Sequence, residues 1–140
     1  MNNKILLTAF LFLLIFGCES INTIDVTDYE KNTLETLEDY QFPQGAYYTY
    51  AFSSLDEVID PSEEINRLIS KDIIVNHAWY RIHRNGCDVG SGGTTHTMYK
   101  SVFLVCIYSD NQRILNENYN SLSSSSKIPC ARNVLHYELK

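Results

Sequence analysis

No run of this 140-residue chain is long enough to cross a membrane as a helix. The longest apolar stretch, Ile5 to Phe16, has twelve residues with only Thr8 polar. As a helix it would span about 18 Å, well short of the ~30 Å hydrocarbon core, which disfavours an uncleaved anchor. It also lacks the polar face of a helix packed on a small domain. Basic charge is scarce as well: 11 Lys and Arg stand against 17 Asp and Glu, a formal charge of −6, which argues against nucleic acid as a partner. Catalytic motifs are missing too. A phosphate-binding loop needs a Lys-Ser or Lys-Thr pair after its last glycine, and Gly92-Gly93-Thr94-Thr95 has none. Gly90-Ser91-Gly92-Gly93 lacks the dinucleotide-binding glycine spacing. Val89, not glycine, stands two residues before Ser91, so there is no nucleophile elbow. The chain contains no internal repeat.

What the chain has, first, is an address. Met1 to Lys4 form a short start with one positive charge, and the apolar Ile5 to Phe16 follows, as in an export signal. Ile15-Phe16-Gly17-Cys18 resembles the lipobox of bacterial lipoproteins, although Phe16 stands where a small or β-branched residue is usual. The resemblance implies that residues 1–17 are a signal peptide and that Cys18 is diacylated, freed by cleavage and often acylated again. The protein would then be a lipoprotein of the bacterial cell envelope, facing the periplasm. Glu19 does not decide between inner and outer membrane. An ordinary secretory signal cut nearby would instead leave Cys18 a plain thiol. The resemblance covers residues 1–18 and implies nothing about the fold after them.

After cleavage the chain would hold one domain with a modest core. Its charge is unevenly spread: residues 19–66 carry twelve acidic side chains and one Lys, and residues 67–140 carry five acidic and nine basic. The halves stand at −11 and +4. Residues 18–41 therefore read as a lipid-anchored acidic tether, a solvated stalk, or as a segment lying against the basic half. Thr27-Asp28-Tyr29-Glu30 matches a capping box, and Leu34, Leu37 and Tyr40 could mark one face of a short helix, marginal without packing.

Residues 42–140 read as a single globular α+β domain, a small mainly antiparallel sheet with one or two packed helices. Ala46 to Phe52 alternates as a strand, with Tyr48, Tyr50 and Phe52 on one side and Tyr47, Thr49 and Ala51 on the other. Asp60-Pro61-Ser62-Glu63 is a strong helix start, with an N-cap, proline at N1 and an acid at N3, and it predicts a helix from Pro61 to about Lys71. Ile73 to Arg84, Thr95 to Tyr108 and Val134 to Leu139 read as strands. Asn85-Gly86 opens a glycine-rich connection, and Ser121 to Ser126 reads as an exposed loop.

Three cysteines remain besides Cys18, enough for one bond and one spare thiol in an oxidising compartment. Cys106 lies in an apolar run and reads as a core thiol, whereas Cys87 and Cys130 sit in polar, turn-like contexts. A Cys87–Cys130 disulfide bond is favoured, with Cys106–Cys130 as the alternative. The first would stabilise by roughly 4 kcal/mol on the chain-entropy model. His83, Cys87, Asp88, Ser91 and His96 form the densest cluster of reactive side chains. Cys87 with His83 or His96 would suit a thiol hydrolase, but no helix follows the cysteine to lower its pKa, and no paired zinc-ligand spacing accompanies it. No cofactor and no metal site is expected.

His77, Trp79, Arg81 and His83 would line one face of the Ile73 to Arg84 strand. They form a candidate binding face for an acidic protein, an anionic glycan or the chain's own acidic N-terminal segment. The leading functional expectation is a non-enzymatic, lipid-anchored envelope protein that binds or neutralises another protein, in the format of an immunity protein or inhibitor. The alternatives are a structural or assembly lipoprotein of an envelope complex and, behind it, a Cys/His hydrolase.

Overall fold

The computed structural model describes residues 23–52, 58–82, 101–123 and 132–140. They form an α+β domain built on an antiparallel sheet of β1 (Tyr29–Thr36), β2 (Ala46–Ala51), β3 (His77–Arg81), β4 (Val102–Ile107), β5 (Asn120–Leu122) and β6 (Arg132–Leu139). The strand order is β1-β6-β3-β4-β2-β5, so β1 and β5 are the edges. Helix α1 (Pro61–Ile69) and two 3-10 segments, Val26–Asp28 and Gln112–Glu117, complete the described elements. None of the described helices is long and apolar enough to cross a membrane.

Helix α1 begins where its capping residues dictate. The Asp60 side chain accepts the Ser62 N–H at 2.8 Å, and Pro61 occupies the first turn, where no N–H would have an intrahelical partner. Glu63 and Glu64 lie at the positive end of the dipole and Arg67 at the negative end. The helix closes through a left-handed residue, Asp72 at φ 58. The Ile73 N–H bonds back to the Leu68 carbonyl and the Asp72 N–H to that of Ile69, a Schellman closure. That closure presses Leu68 and Ile73 together, both fully buried.

Alternation along the strands separates two buried faces. On the first, Tyr48, Phe52, Ala78, Tyr80, Phe103, Val105, Ile107 and Tyr137 pack with Ile65 and Leu68 of α1, with Ile73 and Val75, and with Ile114 and Tyr119. On the second, Tyr47, Trp79, Leu104, Cys106 and Val134 are covered by Leu34, Leu37, Tyr40, Phe42 and Leu122. The chain between β1 and β2 thus closes the second face as α1 closes the first.

Residues 29–36, where the apolar spacing predicts a helix, are strand. Asp25, not Thr27, is the capping residue. It accepts the Thr27 N–H while Asp28 accepts the Asp25 N–H, and together they cap a single 3-10 turn. β1 then pairs with β6 from Tyr29↔Leu139 to Thr36↔Arg132. The inter-strand ladder outweighs a thin helical stripe that could not have held a helix alone. Leu34 ends in the strand, and Leu37 and Tyr40 serve in the cover instead. Leu122 and Ser121 pair with Tyr47 and Tyr48, so the serine-rich stretch opens as an edge strand, and residues 124–130 lie outside the described residues.

Candidate functional site

The second face is organised around Trp79. Its ring stacks with those of His136 (centroids 5.1 Å, planes 10° apart) and His77 (5.7 Å, 15°). Phe42 and Tyr40 meet it edge-on at 5.2 and 6.1 Å. The Tyr47 ring stacks at 6.0 Å, with its hydroxyl donating to the Pro43 carbonyl. Aromatic pairs of these geometries add stabilisation beyond the area they bury, and here they hold two imidazoles in fixed orientation.

Register explains how those imidazoles meet. β3 and β6 pair so that His77 lies opposite Glu138 and Trp79 opposite His136. His77, His136 and Glu138 therefore share one face of adjacent strands. His77 Nδ1 lies 3.3 Å from His136 Nε2, and His77 Nε2 lies 2.6 Å from the Tyr108 hydroxyl. Both imidazoles are 5% exposed, whereas Tyr108 is 59% exposed and Glu138 is also open to solvent.

Burial pushes the His77 pKa below its ordinary value, and the Glu138 charge opposes this in part. His136 is lowered by burial first and by His77 second, again against Glu138. Both rings are thus held neutral at physiological pH, with lone pairs available for a hydrogen bond or a cation. Burial also pushes up the pKa of the Cys106 thiol, which is free and has the Gln44 carbonyl at 3.9 Å. A buried, neutral thiol of this kind is inert.

His77, Trp79 and Arg81 do share a face, as their alternation predicts. That face is covered: the three are 5, 0 and 1% exposed. They line the interior of the second core, where they are not available as an open binding surface. The acidic N-terminal segment does lie against this face, through Leu37, Tyr40 and Phe42. Cys106 is a core thiol, as its apolar context predicts. Cys18, His83, Cys87, Asp88, Ser91, His96 and Cys130 lie outside the described residues, and with them the lipid site and both disulfide partners of the favoured pair. His136 and Glu138 are site residues that carried no motif. Their only sequence signal is the period-2 spacing that puts Val134, His136 and Glu138 on one side of β6.

A second polar cluster ties α1 to the Gln112–Glu117 segment. Arg67 bridges Glu64 at 2.8 Å and Glu117, and the Tyr119 hydroxyl donates to Glu64 at 2.6 Å. Each charge in it has a partner, so it reads as a structural clamp.

No family model, curated protein or solved structure matches this chain.

Proposed function

We propose that the chain is a lipid-anchored binding protein of the bacterial envelope, held through Cys18 and occupying the surface of another envelope protein as an immunity protein or inhibitor does. The observation that best supports this reading is the edge strand β1. It lies within residues 18–41, the segment read as the tether, and Glu30, Lys31, Asn32, Thr33 and Glu35 are exposed along it. Glu38 and Asp39 extend the exposed acidic charge just beyond it. Such an edge repels copies of the same chain, which guards against aggregation, and steers a basic partner toward it. The packing of both sheet faces supports the same reading, because a rigid block loses little freedom on binding.

The test is capture of the tagged protein from its own envelope in mild detergent, in parallel with a Glu30→Lys, Glu35→Lys double variant. A protein recovered in near-equal amount with the wild type, and released by the charge reversal, is the expected result. If nothing co-elutes at any salt concentration, the binding reading fails.

A further inference from the structure

The inventory of hydrogen bonds at the β3–β6 pair leaves something to explain. Two neutral imidazoles facing each other across 3.3 Å satisfy only one N–H···N contact, and a solvent-exposed carboxylate stands over them. Their donor atoms and that of Glu138 all lie within 4.8 Å of one another. Two nitrogen ligands held about 2.0–2.1 Å from a tetrahedral zinc ion sit roughly 3.3–3.4 Å apart, close to the separation already present. We propose that His77, His136 and Glu138 form a binding site for a divalent transition cation of zinc's class.

Three further features suit the site to that task. First, the Tyr108 hydroxyl sits 2.6 Å from His77 Nε2. With the ring N–H donating there, Nδ1 carries its lone pair toward His136 and Glu138. Ligating histidines generally need such an outer partner to fix tautomer and orientation. Second, Trp79 stacks on both rings, so the ligands are pre-positioned and lose little freedom when an ion binds. Third, Glu138 and Tyr108 form an exposed rim beside two buried rings, which gives the ion a route in. The nitrogen-rich donor set favours zinc-like cations over calcium or magnesium, which prefer oxygen ligands. As the ion binds, the proton held between the two rings moves to His136 Nδ1, so that both facing nitrogens offer lone pairs. Three protein ligands leave the fourth tetrahedral position to water. This site does not depend on the protein-binding reading and stands or falls separately from it.

Titration of the chelator-stripped, purified protein with zinc chloride, followed by calorimetry, tests the site. One ion per chain is expected, with imidazole 15N shifts at His77 and His136. Glu138→Gln changes an exposed side chain and leaves both rings packed. It is expected to weaken zinc binding by about tenfold or more, as loss of even an outer-shell group does, with an unchanged melting temperature in chelator. His136→Gln abolishes binding. Zinc bound equally well by Glu138→Gln and His136→Gln would place the ion on other cysteines and histidines of the chain and overturn the proposal. So would failure of the wild type to bind zinc.

Discussion

The two faces of this sheet are buried by different means. The first is closed by a regular, doubly capped helix whose Ile65 and Leu68 meet an aliphatic and aromatic floor. The second is closed by the irregular chain of residues 37–43, and its interior mixes Trp79, Tyr47, two histidines, Arg81 and a thiol. Aliphatic burial is non-directional and asks only for volume, so a helix suffices. An indole stacked with two imidazoles depends on ring orientation as well as volume, so the second cover has to be placed ring by ring. The same requirement concentrates chemistry there. The candidate cation ligands lie on the second face because that face, among the described residues, holds the two buried imidazoles.

The sharpest way to break this comparison is to remove the centre of the second face. Trp79→Ala should cost about 3–5 kcal/mol, since large aromatic truncations in cores fall in that range and the indole contacts Tyr40, Phe42, Tyr47, His77 and His136. Leu68→Ala on the helix face should cost roughly 3 kcal/mol. Urea denaturation measures both. Amide exchange separates them: Trp79→Ala should expose residues 37–43 while α1 stays protected, and Leu68→Ala should do the reverse. Uniform loss of protection in both variants would mean that the faces open as one unit, and the contrast between them would fall.

A smaller effect probes how tightly the second cover is seated. A Cβ on Gly45 would meet Cys106 Sγ at 2.5 Å and the Ile107 carbonyl oxygen at 2.9 Å. Gly45→Ala should therefore destabilise by about 1–3 kcal/mol through overpacking. The double variant Gly45→Ala, Cys106→Ala should recover part of that loss, because one of the two obstructing atoms is gone. No recovery would place the strain on the backbone oxygen alone.

The same contrast governs what could be read in advance. Helix α1 was legible because Asp60-Pro61-Ser62-Glu63 encodes its start within four residues, and β2, β4 and β6 because β-branched and aromatic residues mark them locally. β1 was not, because Glu30, Lys31, Asn32 and Glu35 are residue types depleted in strands. The strand exists only by pairing with β6, which ends more than a hundred residues further along. Alternation correctly grouped His77, Trp79 and Arg81, but whether that face is open or covered depends on Phe42 and on Leu37 and Tyr40, whose spacing with Leu34 reads as a helical stripe. The cation cluster was hidden for a related reason: His77 and Glu138 face one another only once β3 and β6 are known to be neighbours.

The smallest predicted effect lies in two adjacent tyrosines that β2 sends to opposite faces. On the second face the Tyr47 hydroxyl donates to a backbone carbonyl, that of Pro43, an acceptor with no titration. On the first face the Tyr48 hydroxyl donates to the Asp110 carboxylate. That contact first, and Gln112 second, hold the Asp110 pKa below its ordinary 3.8. A carboxylate depressed in the folded state contributes stability that is fully present above its unfolded pKa and is lost as pH falls through the folded value. Thermal melts of the wild type should therefore decline from about pH 4 downward, in part through this contact. Tyr48→Phe lets the Asp110 pKa rise toward its ordinary value and should flatten that decline. Tyr47→Phe should instead lower stability by about 1 kcal/mol, the usual net worth of one hydrogen bond, by the same amount at every pH between 3 and 7. If both variants shift the curve in parallel, the acid sensitivity lies elsewhere and the two hydroxyls are equivalent despite their different acceptors.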